Sequence, residues 1–293
     1  MSRVHVLGNA GMDLGLTLPH MPAPGETVVG NDPHRAPGGK GLNQAVAAVR
    51  CGAVVRFLAP LGDDPEAAEI AAALQAETFD ALELPRFRGA SDRSILMLTP
   101  DGENCIVSLG ACGDGFEPAA AAGFAAEVGP KDILLMQGNL SFAATRAAAA
   151  ACAGRVVLNT APMLWDVRPL LPRCAIVVAN AVEARAITGS DRASALRDAG
   201  AGIAIVTLGG NGCRVADDAG EQDLPPCPAD LVDSTGAGDA FCGALAAVLG
   251  MGWPLMDAIA AAQRVAARTV ERRGAFAAIP PPAECASLLR RVA

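Results

Sequence analysis

Two short stretches carry the residue types that chemistry needs. In DSTGAGDAFCGAL, residues 233–245, three small residues, Gly236, Ala237 and Gly238, stand directly before Asp239 and an apolar run. Small residues at a helix start let a ligand approach the backbone, and the first-turn N–H groups and helix dipole make an anion site there. An acid beside such a site repels the anion unless it has a separate task. Asp239 therefore reads as a base facing a second substrate's hydroxyl, while a phosphate rests on the N–H groups of residues 236–238. The second stretch, APGGKGLNQAVAAVRCGA (36–53), sets Lys40 and Asn43 three apart after a Gly-Gly turn. At that spacing both can face one side of a helix start and offer an ammonium and an amide to a polyol or a phosphate. Taken singly, each stretch also has a plain structural reading: an acid in the first turn of any helix, and a solvated lysine in a glycine-rich loop. No G-x-x-x-x-G-K-[ST] sequence occurs, and the turn at 236–238 lacks the third glycine of a dinucleotide fingerprint, which weighs against both of those phosphate sites.

These residues need elements to hold them. Short β-branched runs (RVHVLG, VVRFLAP, DILLMQ, RVVLNT, AIVVAN, GIAIVTLG) alternate with Ala-rich helical stretches such as GLNQAVAAVRCG and DPEAAEIAAALQA. That alternation predicts βαβ crossovers and a single α/β domain over 1–293, a three-layer α/β/α sandwich with a mainly parallel central sheet. DLVDST reads as a further strand-like run leading into the Gly-Ala-Gly turn. Two segments, about 14–37 and 93–110, break the pattern. LGLTLPHMPAPGETVVG has strand-like residues around a Pro/Gly turn, and SILMLTPDGENCIVSLG places Pro-Asp-Gly between two strand-like runs. They are expected to pair into a small β-sheet lid over the cleft at the strand ends.

Composition narrows the partners. The chain has 31 acidic and 23 basic residues, a net charge of −8, and no run of Lys or Arg, so nucleic acid is not an expected partner. No apolar run approaches the ~18 residues of a membrane span, and the first residues lack the apolar core of a signal peptide, so a cytoplasmic protein is expected. Nine cysteines without a C-x-x-C pair suit buried free thiols rather than a metal site or disulfides. His5, His20 and His34 have no sequence partner and read as structural, and Cys242 reads as a small packing residue.

Taken together and in order, the motifs resemble those of the PfkB/ribokinase family of sugar kinases. They are GNAGMD (8–13), PAPGETVVG (22–30), APGGKGLNQAVAA (36–48), LGDD (61–64), NTAP (159–162), ANAVEARAITG (179–189), TLGGNG (207–212), DSTGAGDAFCGAL (233–245) and RRGAFAAIP (272–280). The resemblance implies a ribokinase-like fold and ATP-dependent phosphorylation of a sugar or sugar-like alcohol, with Mg²⁺ and K⁺. It implies that Asp239 is the catalytic base and that Gly236, Ala237 and Gly238 form the anion hole. Asp13, Gly39, Lys40 and Asn43 match sugar-binding positions, and Asn139 stands where the family has a sugar-contacting acid. Asn180 and Glu183 match the N-x-x-E motif that organises magnesium and phosphate through water. Thr207, Gly209 and Gly212 match the nucleotide loop, with Gln263 near the adenine. Asp233, Thr235, Thr269, Arg272 and Gly274 fall at potassium positions, several of them acting through backbone carbonyls. A homodimer through exposed lid edges is expected as well.

Three departures bear on the substrate and the cation. Asn139 replaces an acid, Ala278 replaces a serine after the potassium segment, and Gly11 replaces an asparagine, which removes an amide partner and is expected to leave room in the first loop. A roomier, less acidic pocket should favour a larger alcohol over ribose: a hexose, a ketose or a nucleoside. Two other readings stay open. One is the same chemistry on a nucleoside or a sugar phosphate, for which Arg93 and Lys40 are the evident cations. The other is a non-catalytic sugar or nucleotide sensor, against which the intact Gly-Ala-Gly-Asp stands.

Overall fold

The computed structural model describes residues 2–100 and 104–290. The chain opens with β1 (Val4–Leu7), β2 (Gly11–Thr17), β3 (Asn31–Gly38), α1 (Lys40–Arg50), β4 (Val55–Leu58), α2 (Pro65–Gln75) and β5 (Ala81–Glu83). It continues through β6 (Asp92–Leu98), β7 (Asn104–Leu109), a single-turn α3 (Ala111–Asp114), α4 (Pro118–Ala126), β8 (Ile133–Met136), α5 (Phe142–Ala151) and β9 (Arg155–Asn159). The last third holds β10 (Ile176–Asn180), α6 (Ala181–Thr188), α7 (Ala193–Asp198), β11 (Ile203–Thr207), β12 (Cys213–Asp217), β13 (Gly220–Leu224), α8 (Ala237–Gly250), α9 (Leu255–Thr269) and α10 (Pro282–Leu288).

The main sheet runs β13-β12-β11-β10-β9-β8-β1-β4-β5, parallel from β11 to β5 and closed at one edge by the antiparallel pair β12–β13. Its central strands, VHVL and ILLM, are buried at every residue, as a strand covered on both faces must be. One core layer packs α1, α2, α8 and α9 against the sheet, and the other packs α4 to α7. Local signals place the helix starts. Asp64 caps α2 by accepting from the Ala67 N–H at 2.9 Å with Pro65 at the first position, and Ser141 caps α5. Among the described residues no helix is long and apolar enough to cross a membrane.

The second sheet runs β3-β2-β6-β7, with β2 and β6 parallel and the two outer pairs antiparallel, so both segments that interrupt the main pattern do pair. The Pro-Asp-Gly turn between β6 and β7 falls mostly on residues 101–103, outside the described residues. Two strand expectations need correction. Val28 and Val29 precede β3, which begins at Asn31. Residues 230–235 form no strand: Leu231 and Val232 are exposed, and the N–H groups of Val232 and Asp233 both turn to the Val270 carbonyl, leaving no sheet edge to join.

Two glycines bring the site's elements into contact. A Cβ at Gly243 would lie 2.3 Å from the Gln44 carbonyl oxygen, so α8 can meet α1 this closely only with glycine there. A Cβ at Gly41 would lie 2.6 Å from the Asn9 backbone, which likewise seats α1 against the end of β1. The functional motifs consequently gather at the carboxyl ends of the parallel strands, where open α/β sheets form their crevice.

Candidate active site

The start of α8 is built by glycine. Gly236 adopts the left-handed conformation (φ 77°), and a Cβ there would press within 2.9 Å of Ala275. The Ala237 N–H donates to the Ser234 carbonyl at 3.3 Å and so belongs to the turn. Its neighbours in the first turn have no intrahelical acceptor, as at any helix start. At Gly238 a Cβ would meet nothing within 4 Å, so the space beside its α-carbon is open. Asp239 is 5% exposed. Its carboxylate accepts the Asn43 amide at 3.2 Å on Oδ2 and the Gln44 amide at 3.0 Å on Oδ1.

Across the cleft, β2 contributes Asp13 and the start of α1 contributes Lys40. Gly38 makes space for the Asp13 carboxylate, since a Cβ there would sit 2.1 Å from Oδ2. Burial, followed by the neighbouring Asp239 charge, raises the Asp13 carboxyl to about 6, against the Ser94 hydroxyl, Lys40 and His34, which lower it. The Lys40 ammonium is raised above its ordinary range, first by Asp239 and also by Glu183, Cys242 and Asp13, in opposition to burial. Residues from three separate motifs therefore share one field. Gly39 precedes α1 at φ 98°, with its α-carbon side turned to Asn9 and Ala10. The side-chain oxygens of Asn43 and Asn139 are buried and have no partner among the described residues. Gly11 corrects an expectation. A Cβ there would lie 2.4 Å from the Asp92 carbonyl, because β6 fills the space that a longer residue would occupy. The first loop is not roomier for having glycine.

Asn180 and Thr207 are register partners at the ends of β10 and β11 and border a cavity of about 530 Å³ with Leu208, Gly209 and Asn211. Asn180 and Glu183 form a reciprocal capping box at the head of α6, and Glu183 Oε2 also accepts the Thr160 hydroxyl at 2.7 Å. Gly209 and Gly212 flank one 3₁₀ turn with φ 57° and 85°, and Gly212 abuts the Leu224–Pro226 backbone. Gln263 on α9 reaches the same segment, donating to the Pro225 carbonyl at 3.1 Å.

The carboxylate of Asp233 ties two loops together. It accepts the Thr235 N–H at 2.9 Å and the Gly274 N–H at 2.8 Å. The side chains of Thr269 and Arg272 are engaged elsewhere, the hydroxyl with the Val265 carbonyl and the guanidinium with Glu284. Ala278 is fully buried.

The profile of the pfkB family carbohydrate kinases matches residues 1–281. The chain belongs to that family. It is 29% identical over 297 residues to a ribokinase of Haemophilus influenzae, covering 97% of each chain. Its fold is that of the ribokinase of Thermotoga maritima (TM-score 0.89, 24% identity, 99% of each chain). The ribokinase of Arabidopsis thaliana, solved with ribose and ATP, gives a TM-score of 0.86 at 24% identity over the full length of both chains. As a carbohydrate kinase the protein is a phosphotransferase with an alcohol group as acceptor.

Beyond its recognised motifs, this kinase brings to the cleft residues that sequence reasoning passed over. Gln44 and Gln137 are almost fully buried and lie in line behind Asp239. Asn9 and Asp92 join the first loop to the lid strand β6 at 3.5 Å, with Asp92 also accepting the Cys112 N–H at 2.9 Å. The available signal was a polar residue inside an apolar run, as in LNQAVAAV and ILLMQ.

Proposed function

We propose that this protein transfers the γ-phosphate of ATP to a hydroxyl of a sugar or sugar-like alcohol, with Asp239 accepting the hydroxyl's proton. One observation carries the reading: the Asn43 amide donates to the Asp239 carboxylate at 3.2 Å, so the stretch read as holding the alcohol and the stretch read as supplying the base meet in one cleft. Asp13, Asn43 and Asn139 hold the alcohol. The unpartnered oxygens of Asn43 and Asn139 suit hydroxyl donors. The first-turn amides of α8 at Gly238 and Asp239 receive the charge that develops on the moving phosphoryl group, and Lys40 adds a cation. Thr207, Gly209, Gly212 and Gln263 line the nucleotide side, with Asn180 and Glu183 at its phosphate end.

Among the described residues no group of three metal-ligating side chains occurs, and one carboxylate at the head of α6 fits a magnesium ion that keeps its waters and arrives with ATP. Magnesium held there through its waters by Asn180 and Glu183 would supply positive charge to the phosphates of ATP. Potassium fits the loops that Asp233 joins. Thr235, Thr269, Arg272 and Gly274 would offer backbone oxygens, since the side chains of Thr269 and Arg272 are bonded elsewhere.

Asn139 removes an acidic acceptor, so ribose is expected to be a modest substrate. The test is phosphoryl transfer from ATP across pentoses, hexoses, ketoses, nucleosides and sugar phosphates, with products read by mass. Transfer to one or more sugars supports the reading. Nucleotide binding with no transfer to any acceptor would support the sensor instead.

A further inference from the structure

We propose that Gln44 and Gln137 are positioning residues, a relay of side-chain amides with one forced polarity that aims the Asp239 carboxylate. The proposal rests on Asp239 acting as the base.

The polarity is set by a backbone group. The Val178 carbonyl can only accept, so Asn159 must present Nδ2 to it, at 3.2 Å. Asn159 Oδ1 then faces Gln44 and must receive an N–H, which Gln44 Nε2 gives at 3.2 Å. The other hydrogen of the same nitrogen goes to Asp239 Oδ1 at 3.0 Å. With both hydrogens used, Gln44 Oε1 is left facing Gln137, whose Nε2 donates to it at 2.8 Å. Gln137 cannot turn over without placing its own carbonyl against that of Gln44.

Rigid elements hold every member. Asn159 ends β9, Gln137 follows β8 directly, Gln44 lies on α1 and Asp239 on α8. Gln44 is 0% exposed, Gln137 1% and Asn159 7%. The relay is only partly satisfied. It leaves Gln137 Oε1 buried with no partner among the described residues, packed against Gly8, where a Cβ would lie 2.1 Å from that oxygen and 2.8 Å from the Gly41 α-carbon. A partly satisfied buried amide chain costs more than apolar filling, so its place here follows from what it directs. It delivers one N–H to one oxygen of Asp239, while Asn43 fixes the other oxygen. Asp13, Lys40 and Cys242 carry the remaining ionisable groups that face Asp239.

Steady-state kinetics on Gln44→Met, Gln137→Met, the double variant and Asp239→Asn test the relay. Gln44→Met should lower kcat by ~10–100-fold with KM for the alcohol and ATP within about twofold, since only the aim of the base is lost. Gln137→Met should cost about threefold to tenfold, because Asn159 and Asp239 still attract the Gln44 amide. The double variant should match Gln44→Met alone, as members acting in series do. A purely structural role predicts lower melting temperatures, additive in the double variant, with kcat unchanged. A folded Gln44→Met enzyme with kcat within about twofold of wild type overturns the relay. If that variant does not fold, an unchanged kcat in Gln137→Met overturns it equally. Asp239→Asn separates the two readings: if it retains activity, the base assignment itself fails, whereas an inactive Asp239→Asn beside a fully active Gln44→Met defeats the relay alone.

Discussion

Asp13 and Asp239 face each other in one cleft with unlike support. Asp239 receives two amide donors, whereas Asp13 has the Ser94 hydroxyl and a half-buried position beside another acid. With its carboxyl raised from 3.8 to about 6, the folded protein binds that proton more tightly than the unfolded chain does. Its contribution to stability is therefore full below pH 3.8 and lost as pH rises through 6. Asp13→Asn should raise the melting temperature at pH 8, by ~1–3 kcal/mol of stability, and change it little at pH 4; thermal melts at the two pH values check this. The same titration acts on binding. For the wild type, KM for the alcohol should climb as pH falls below about 6, since the protonated carboxyl is a poorer acceptor, and a KM flat from pH 5 to 8 would remove Asp13 from the binding site. Sequence singled out Asp239, Lys40 and Asn43 because glycines mark them. It did not disclose Gln44, since the meaning of a polar residue in an apolar helix depends on partners 115 and 195 positions away.

At the scale of elements, the close contact of α1 and α8 sets the geometry around Asp239. Gly243→Ala would push a methyl to 2.3 Å from the Gln44 carbonyl, and one of the two helices must shift. We expect a folded protein destabilised by ~1–3 kcal/mol and a kcat lowered by about tenfold, read from melts and kinetics on the same preparation. Wild-type turnover would mean that helix spacing does not position Asp239. The alternating sheet and helices were legible because buried parallel strands are uniformly apolar and their helices Ala-rich. DLVDST misled for a physical reason: its β-branched residues resemble a strand, but the hydrogen bonds at Val232 and Asp233 go to α9's end rather than to a sheet neighbour. The room expected at Gly11 failed similarly, since the facing residue on strand β6, Asp92, comes from 81 positions further along the chain.

At the scale of the whole molecule, the lid leaves apolar side chains uncovered. Val29 before β3 and Ile106, Val107 and Leu109 on the edge strand β7 are all exposed. A second copy of the chain is the expected cover. Sedimentation should give a dimer at micromolar concentration and a monomer for Ile106→Glu with Leu109→Glu, and a monomeric wild type would contradict pairing through the lid. The family, the sheet and the motif order were legible from the chain alone, whereas the convergence of motifs on Lys40 required the fold. That convergence makes one residue decisive. Asp239→Asn keeps shape and polarity but removes the proton acceptor, so kcat should fall by ~10²–10⁴ while the dissociation constant for ATP stays within about threefold; a folded variant whose kcat remains within about tenfold of wild type would contradict the account.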